Sequence, residues 1–528
     1  MLNSESSIPS SKNWGVILCF IVMAAIGLRV YWAAGFIPKD DAEFAKVAYE
    51  MSQGTFDYDR YEGPPVIPVR TGIVLPTAAS MALFGPGEVQ LAVYPLFLSV
   101  VMILLIYLFS ARMFGHQAAR IASIIWVFLP MEIEIATMLY TEVPTTAFAF
   151  IGIYCIYIAK SRDSIGQRAQ LLYGLAGGLA FGASWLCKES VVYFVPFCLA
   201  LILFDFRNTK FKQLATWGGI AAGSLAVLIG EMVVYGINNG DWLYRFTAIH
   251  NNYQLYPEFF FTEGARFGFE VGTPFWKAVI KRIAIDGPAI IFLNAHFLFL
   301  PSFGAIAALH GWYRRDSRFY FMAALFVVLV IMFNGFSASL QHYQPLPLFN
   351  RYFYPICVPA VILTGGMLAN LMRSVGIGSV LRERPESIFW GGIMILLLAA
   401  LIAWSTFRQV RGHIGTWSAA EKYLANVVSP KDRIHTDVLS RNALEFFWRY
   451  PDEMNISVYG EPGQQFIVRC DEYVLKNISY NQWLTTNYGM WLTMRGFELP
   501  TTVREPPENW HIKWTNRNAT LFKVVCGD

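Results

Sequence analysis

"VQLAVYPLFLSVVMILLIYLFSA" (residues 89–111) holds no charged residue and is followed at once by Arg112. A bilayer span takes about 20 mostly apolar residues in helical form, and this run is long enough. Similar runs stand at 15–37, 119–135, 143–160, 170–186, 191–206, 214–236, 287–312, 319–336, 353–371 and 387–407. Together they make about eleven candidate spans by the same length criterion. Composition agrees, because only 15% of the 528 residues are charged and 55% are hydrophobic. A soluble domain carries about 25% charged residues. The expected fold is a polytopic α-helical membrane protein. The first run carries Arg29 and Tyr31 where a small-residue cleavage site would stand, so it reads as a retained span.

Charge alternates from loop to loop. Arg112 and Arg120 fall in one loop, Lys160, Arg162 and Arg168 in the next of the same side, then Arg207, Lys210 and Lys212. Arg314, Arg315 and Arg318, then Arg373, Arg382 and Arg384, continue the series. Basic loops mark the cytoplasmic side. The intervening loops are acidic, with Asp40, Asp41, Glu43, Glu50, Asp57, Asp59, Glu62 and Glu88 in residues 38–88. Past residue 408, "RIHTDVLSRNALEFFWRY" (433–450), "QFIVRCDEYVL" (465–475) and "ATLFKVV" (519–525) mix strand and helix patterns. The organisation expected is a membrane module over 1–407 and a soluble α/β domain over 408–528. The module includes a first outer loop, 38–88, with juxtamembrane helices, and an outer lipid-side loop, 237–286. An odd span count puts the α/β domain on the outer face, beside Asp40.

Several function classes are set aside by residue type. There is no C-x-x-C or His/Cys cluster for structural zinc, and no phosphate-cradling glycine motif for a nucleotide. A net charge of +4 spread over alternating loops gives no nucleic-acid surface. Five cysteines lie in apolar runs, whereas Cys470 and Cys526 lie in the polar C-terminal part and can pair in an oxidising compartment.

Ionisable residues cluster at the outer span ends. They are Asp40 and Asp41 after the first span, Glu132, Glu134 and Glu142 between the third and fourth, and Lys188 and Glu189 between the fifth and sixth. His342 and Arg351 precede the tenth. Charges at membrane depth are costly and mark polar interiors. Glu132 reads as a solvated loop charge, and Glu142 as either a helix-start carboxylate or a site residue. A divalent cation on Asp40 and Glu142 is the one metal that these oxygen ligands would admit, and the spacing leaves it open. In the 237–286 loop, Lys277, Lys281 and Arg282 stand among aromatics, which reads either as an interfacial loop with an aromatic belt or as a lipid entrance whose basic residues meet an anionic head group. Asp437, in "RIHTDVLSRNA" (433–443), reads as a helix cap.

Four stretches carry a resemblance. "DDAEF" (40–44) followed by "EGPPVIP" (62–68) is similar to the first outer loop of the GT-C glycosyltransferases. The branch in question holds aminoarabinose transferases, protein O-mannosyltransferases and RgtA/B/C/D-like galacturonosyltransferases. Its loop reads Asp-Glu-Ala-x-Tyr, a helix, then Pro-Pro-x-x-Pro. Here Asp40, Asp41, Ala42 and Phe44 fill the first places and Pro64, Pro65 and Pro68 the last, with Asp41 replacing Glu and Phe44 replacing Tyr. "YTEVP" (140–144) resembles the second acidic loop, and "GGLAFGASWLCKES" (177–190) the segment with a phosphate-binding lysine. "NRYFYPICVPAVIL" (350–363) is similar to the segment before the final membrane pair. The resemblance covers roughly residues 15–405.

It implies transfer of a sugar from a polyprenyl-phosphate donor to a glycan, lipid or protein acceptor of the cell envelope, usually with inversion. The setting implied is the outer face of a bacterial inner membrane, among membrane lipids. Asp40 is then the candidate base, with Asp41 or Glu142 orienting the acceptor or a cation. Lys188 and Arg351, with His342, would meet the carrier phosphate. The alternative is a lipid-linked sugar flippase or transporter, whose charges belong near the midplane at broken helices.

Overall fold

The computed structural model describes residues 14–374 and 422–525, apart from 256–274, 338–342, 478–502 and several shorter stretches. The expected eleventh span, 387–407, lies outside the described residues.

Helix α1 (Trp14–Tyr31) is followed by α2 (Asp40–Gln53), the single turn α3 (Val66–Val69) and α4 (Thr71–Phe84). Next come α5 (Glu88–Phe114), α6 (His116–Val127), α7 (Pro130–Ile135), α8 (Glu142–Ser161) and α9 (Gln167–Cys187). Helices α10 (Val195–Thr209), α11 (Leu214–Asn239), α12 (Tyr244–Leu255), α13 (Phe275–Lys281) and α14 (Gly287–Phe292) follow. The module continues with α15 (Leu300–Tyr313), α16 (Tyr320–Gly335) and α17 (Tyr354–Ser374).

Among the described residues, seven helical stretches are long and apolar enough to cross a membrane. They are Glu88–Phe114, Glu142–Lys160, Gln167–Cys187, Glu189–Arg207, Leu214–Asn239, Ser317–Gly335 and Asn350–Arg373. Gly15–Tyr31 and Thr71–Phe84 are shorter apolar helices. The protein is a multi-pass membrane protein.

Two expected spans are broken. The run 119–135 divides into α6 and α7 because Leu129, the residue before Pro130, is extended (φ −70°, ψ 115°) and Pro130 restarts the helix. The run 287–312 divides into α14 and α15, with Leu298 (φ 51°) and Phe299 (φ 54°) left-handed between them. Proline again enters the new helix in its first turn, as Pro301.

Glycine spacing brings α9 and α11 together. Gly174, Gly178 and Gly182 recur every fourth residue on α9, opposite Gly219 and Gly223 on α11. A Cβ on Gly174 would strike the Thr216 carbonyl oxygen, and one on Gly178 that of Ile220. Backbones approach this closely only where small residues line the contact, the device by which helices associate in lipid. This seam fixes the end of α9, and Lys188 follows directly.

The basic residues gather at the opposite end of the bundle. Arg373 of α17 donates to the Phe114 carbonyl at the end of α5 (3.1 Å), and Lys160 of α8 pairs with Asp205 of α10.

After residue 422 lies a five-stranded sheet with spatial order β2-β1-β3-β5-β4. Its strands are β1 (Ile434–Thr436), β2 (Ile456–Val458), β3 (Tyr473–Asn477), β4 (Trp510–Thr515) and β5 (Ala519–Val524). Strand β1 pairs in parallel with β2 and β3, and α18 (Val438–Phe447) connects β1 to β2. Strands β3, β5 and β4 are antiparallel. Asp437 caps α18: its carboxylate accepts the Ser440 amide (3.0 Å) and the Ser440 hydroxyl (2.6 Å). Cys470 is disulfide-bonded, and Cys526 lies outside the described residues.

The sheet domain is seated on α2. Phe446 of α18 stacks on Phe36 with ring centroids 4.5 Å apart, and Ala443 and Leu444 share an apolar cluster with Ala42, Phe44 and Ala45. The helix that opens on the paired aspartates is therefore packed on its apolar positions, with Phe44, Ala45, Val47 and Ala48 all buried.

Candidate functional site

Helices α8 and α9 pack side by side with opposite directions, so the first residue of α8 and the residue after α9 meet at one end of the bundle. The first is Glu142 and the second Lys188. Glu142 Oε1 accepts from Lys188 Nζ at 2.7 Å, and both side chains are more than nine-tenths buried. The 3₁₀ turn Asn350–Phe353 leading into α17 brings Arg351, whose Nε lies 3.9 Å from the same Oε1. Thr141 donates to Glu142 Oε2 (3.4 Å). A carboxylate on the first turn of α8 also meets the positive end of that helix.

Aromatic faces hold the two cations. Lys188 Nζ sits 4.1 Å from the Tyr352 ring centre, and Arg351 Cζ lies 4.3 Å from that of Tyr140. Ring quadrupoles attract cations most where water is excluded. A small cleft opens beside this node, lined by Glu142, Lys188, Tyr352, Thr145, Thr146 and Phe333 among others.

A second network braces Lys188 from behind. Arg245 of α12 is 2% exposed and donates to the carbonyls of Trp185 (2.5 Å) and Val69 (2.6 Å). It also pairs with Glu231 of α11 at 2.8 Å, while the Trp185 indole donates to the other Glu231 oxygen (2.9 Å). The last carbonyls of a helix lack partners within it, and a cation there satisfies them and the negative end of the dipole. Arg70, next to Val69, pairs with Glu189 at 2.8 Å. Lys188 is thus set between two tied segments.

Of the residues singled out from sequence, Glu142, Lys188 and Arg351 come together. Asp41 is 1% exposed on α2, and the apolar cluster around Ala42 and Phe44 also contains Leu139 and Cys187. Asp40 begins α2, but its side chain lies outside the described residues, as does His342. Lys277 and Lys281 are exposed. Arg282 is not: it is 1% exposed and donates to Asn334 Oδ1 (2.8 Å) and the Leu346 carbonyl (3.0 Å). It turns inward because α16 offers it a side-chain acceptor, so it does not present its charge to head groups.

Glu132 also departs from expectation. It is fully buried, paired with Arg29 at 3.2 Å, and accepts from the hydroxyls of Ser99 and Tyr354. A lone acid in a loop reads as solvated; its partner on α1 stands 103 residues away. Tyr354 opens α17, so this pair anchors the same helix start that carries Arg351.

The residues do not favour a metal on Glu142. Its carboxylate is committed to two cations, and among the described residues no three His, Cys, Asp or Glu side chains converge on one point. The residues that sequence reading passed over are Arg70, Arg245, Glu231 and Tyr352. Glu231 did leave a signal, as the single acid inside the apolar run 214–236.

Comparison with known proteins follows the same lines. Residues 73–233, less than a third of the chain, match the family model described as dolichyl-phosphate-mannose-protein mannosyltransferase. No curated protein matches the chain significantly. Among solved structures, the apo oligosaccharyltransferase of Archaeoglobus fulgidus superposes with a TM-score of 0.55 at 12% identity, over 91% of this chain and 71% of that one. ArnT from Cupriavidus metallidurans bound to undecaprenyl phosphate gives 0.53 at 13% identity, over 98% and 100%. The Archaeoglobus fulgidus oligosaccharyltransferase AglB, in complex with an inhibitory peptide and a dolichol-phosphate, gives 0.53 at 12%, over 90% and 71%. At such identities the likeness is one of fold.

Proposed function

The chain has the GT-C fold, and we propose that it transfers a sugar from a polyprenyl-phosphate donor to a cell-envelope acceptor at the outer membrane face. The observation that carries this reading is the buried pair of Glu142 and Lys188, joined by Arg351, beside a cleft at one end of the bundle. Solved proteins of similar fold bind undecaprenyl phosphate and dolichol-phosphate, which supports a lipid phosphate as the ligand. The clustering of these charges at one end, away from the bundle middle, favours chemistry over transport.

In the reaction, an acceptor hydroxyl attacks the anomeric carbon from the face opposite the phosphate. The new C–O bond forms as the bond from that carbon to the phosphate oxygen breaks. Asp40 takes the hydroxyl proton, and the carrier departs as polyprenyl phosphate with both bonding electrons. Asp41, on the same helix turn, orients the acceptor. Lys188 offers three N–H donors; Glu142 and the Tyr352 face hold it from two sides, leaving a donor to meet the departing oxygen. Arg351 adds charge to the same region. Fixed cations in a water-poor site stabilise developing charge most strongly. Glu142 fits a positioning role, since it sets both cations.

The inner-membrane setting and outward orientation rest on the basic loops and on the disulfide at Cys470, which suits an oxidising compartment. Sugar transfer from labelled polyprenyl-phosphate sugars by detergent-solubilised protein tests the proposal. Transfer without a sealed membrane is expected. Movement of the lipid sugar across proteoliposomes, with no transfer to any acceptor in detergent, would instead mark a flippase.

A further inference from the structure

We infer that the Thr145 and Thr146 hydroxyls form part of the donor site, donating hydrogen bonds to the oxygens of the lipid phosphate that Lys188 neutralises. The inference rests on the donor reading above. Both threonines line the cleft with Lys188 and Glu142. Thr145 is 3% exposed and Thr146 fully buried, yet neither Oγ1 has a hydrogen-bond partner in the protein.

A helical threonine has an easy alternative, because its hydroxyl can bond the carbonyl four residues back. Among the described residues Thr77 does so to Ile73 (2.9 Å) and Thr364 to Ala360 (2.7 Å), and Thr247 more loosely to Leu243 (3.5 Å). Thr145 and Thr146 decline that partner in the same kind of helix. A buried hydroxyl left without a partner is costly, more so at membrane depth. Ser80, Ser110 and Ser123 are also buried without a partner, but singly and away from this cleft. Among the described residues only the threonines stand as an adjacent pair beside an ammonium.

Placement selects the ligand chemistry. The pair occupies the first turns of α8, a helix of 20 residues, where the helix end favours negative charge. A lysine within the same lining points the same way. A phosphate oxygen accepts hydrogen bonds from both hydroxyls and from the ammonium, whereas an apolar isoprenoid offers them nothing. Phosphate is therefore the ligand group, and the chain of the lipid lies elsewhere.

The test measures binding of a C55 polyprenyl phosphate, and of the uncharged C55 polyprenol, to the full-length protein in detergent. Thr145→Val and Thr146→Val keep side-chain shape and remove only the hydroxyl. Each should weaken polyprenyl-phosphate binding by about tenfold, the usual effect of one hydrogen bond to a charged group, while polyprenol binding stays unchanged. Thr145→Ser and Thr146→Ser should restore affinity. Thermal stability of the valine variants should not fall, because an unpartnered polar group is removed; should they fail to fold, the alanine variants serve instead. Wild-type affinity in the valine or alanine variants overturns the inference, provided Lys188→Ala weakens binding. If wild-type protein does not prefer the phosphate over the alcohol, the donor reading itself fails.

Discussion

Lys188 and Glu142, 46 residues apart in sequence, meet at 2.7 Å where the end of α9 faces the start of α8. Each is buried, and each compensates the other's charge. Removing one partner of a buried pair costs about 3–5 kcal/mol because a bare charge remains. Glu142→Ala, which leaves Lys188 buried and Arg351 half-buried without their carboxylate, should lower the melting temperature in detergent sharply. The double variant Glu142→Ala/Lys188→Ala should lose less than the sum of the two single losses. A thermodynamic cycle on the four proteins measures the coupling. Simple additivity would remove Glu142 as the organiser of the site.

Asp40 is the candidate base at the start of α2, and its replacement by asparagine keeps the shape and removes the proton acceptor. Turnover should fall by about 10²–10⁴-fold with expression and melting temperature unchanged. Steady-state kinetics with a lipid-linked donor checks it. The assignment is wrong if Asp40→Asn keeps wild-type turnover while Asp41→Asn or Glu142→Gln does not.

Arg245 closes the network behind Lys188, and its loss removes the cation paired with Glu231 and the donor to the Trp185 and Val69 carbonyls. Arg245→Ala should destabilise the protein by about 3–5 kcal/mol, as for other buried pairs. Arg245→Lys should recover less than half, since one ammonium cannot reproduce a planar fork with three partners. Chemical or thermal unfolding in detergent measures both. An alanine variant as stable as wild type would leave the network without a structural role.

Much of this architecture is legible in the sequence because lipid demands uninterrupted apolar runs and loop charge reports side. Runs such as 89–111 and 214–236 correspond to α5 and α11 within a few residues. The breaks at Pro130 and Phe299 are less legible: hydropathy averages over them, although proline marks both restarts. Pairing is least legible. Arg29 with Glu132 and Arg70 with Glu189 join residues more than 100 positions apart, and nothing local reveals which charge will meet which. Glu142, Lys188 and Arg351 stand out as span-end charges and by resemblance, whereas Arg245 has neither signal.

In the C-terminal domain, Asp437 caps α18 and takes no part in the cleft. Asp437→Ala should cost about 1 kcal/mol, the usual loss of an N-cap, and leave transfer intact. Hydrogen exchange of α18 and a transfer assay on the same preparation separate the two effects. A loss of transfer without loss of protection in α18 would give Asp437 a role in the reaction.

The most direct measurement is a density map of the wild-type protein in lipid nanodiscs with a polyprenyl phosphate bound. The phosphate should lie in the cleft between α8 and α17, with an oxygen about 3 Å from Lys188 Nζ, the length of a charge-assisted hydrogen bond. A phosphate bound instead at the exposed Lys277 and Lys281, with the cleft beside Lys188 untouched, would contradict it.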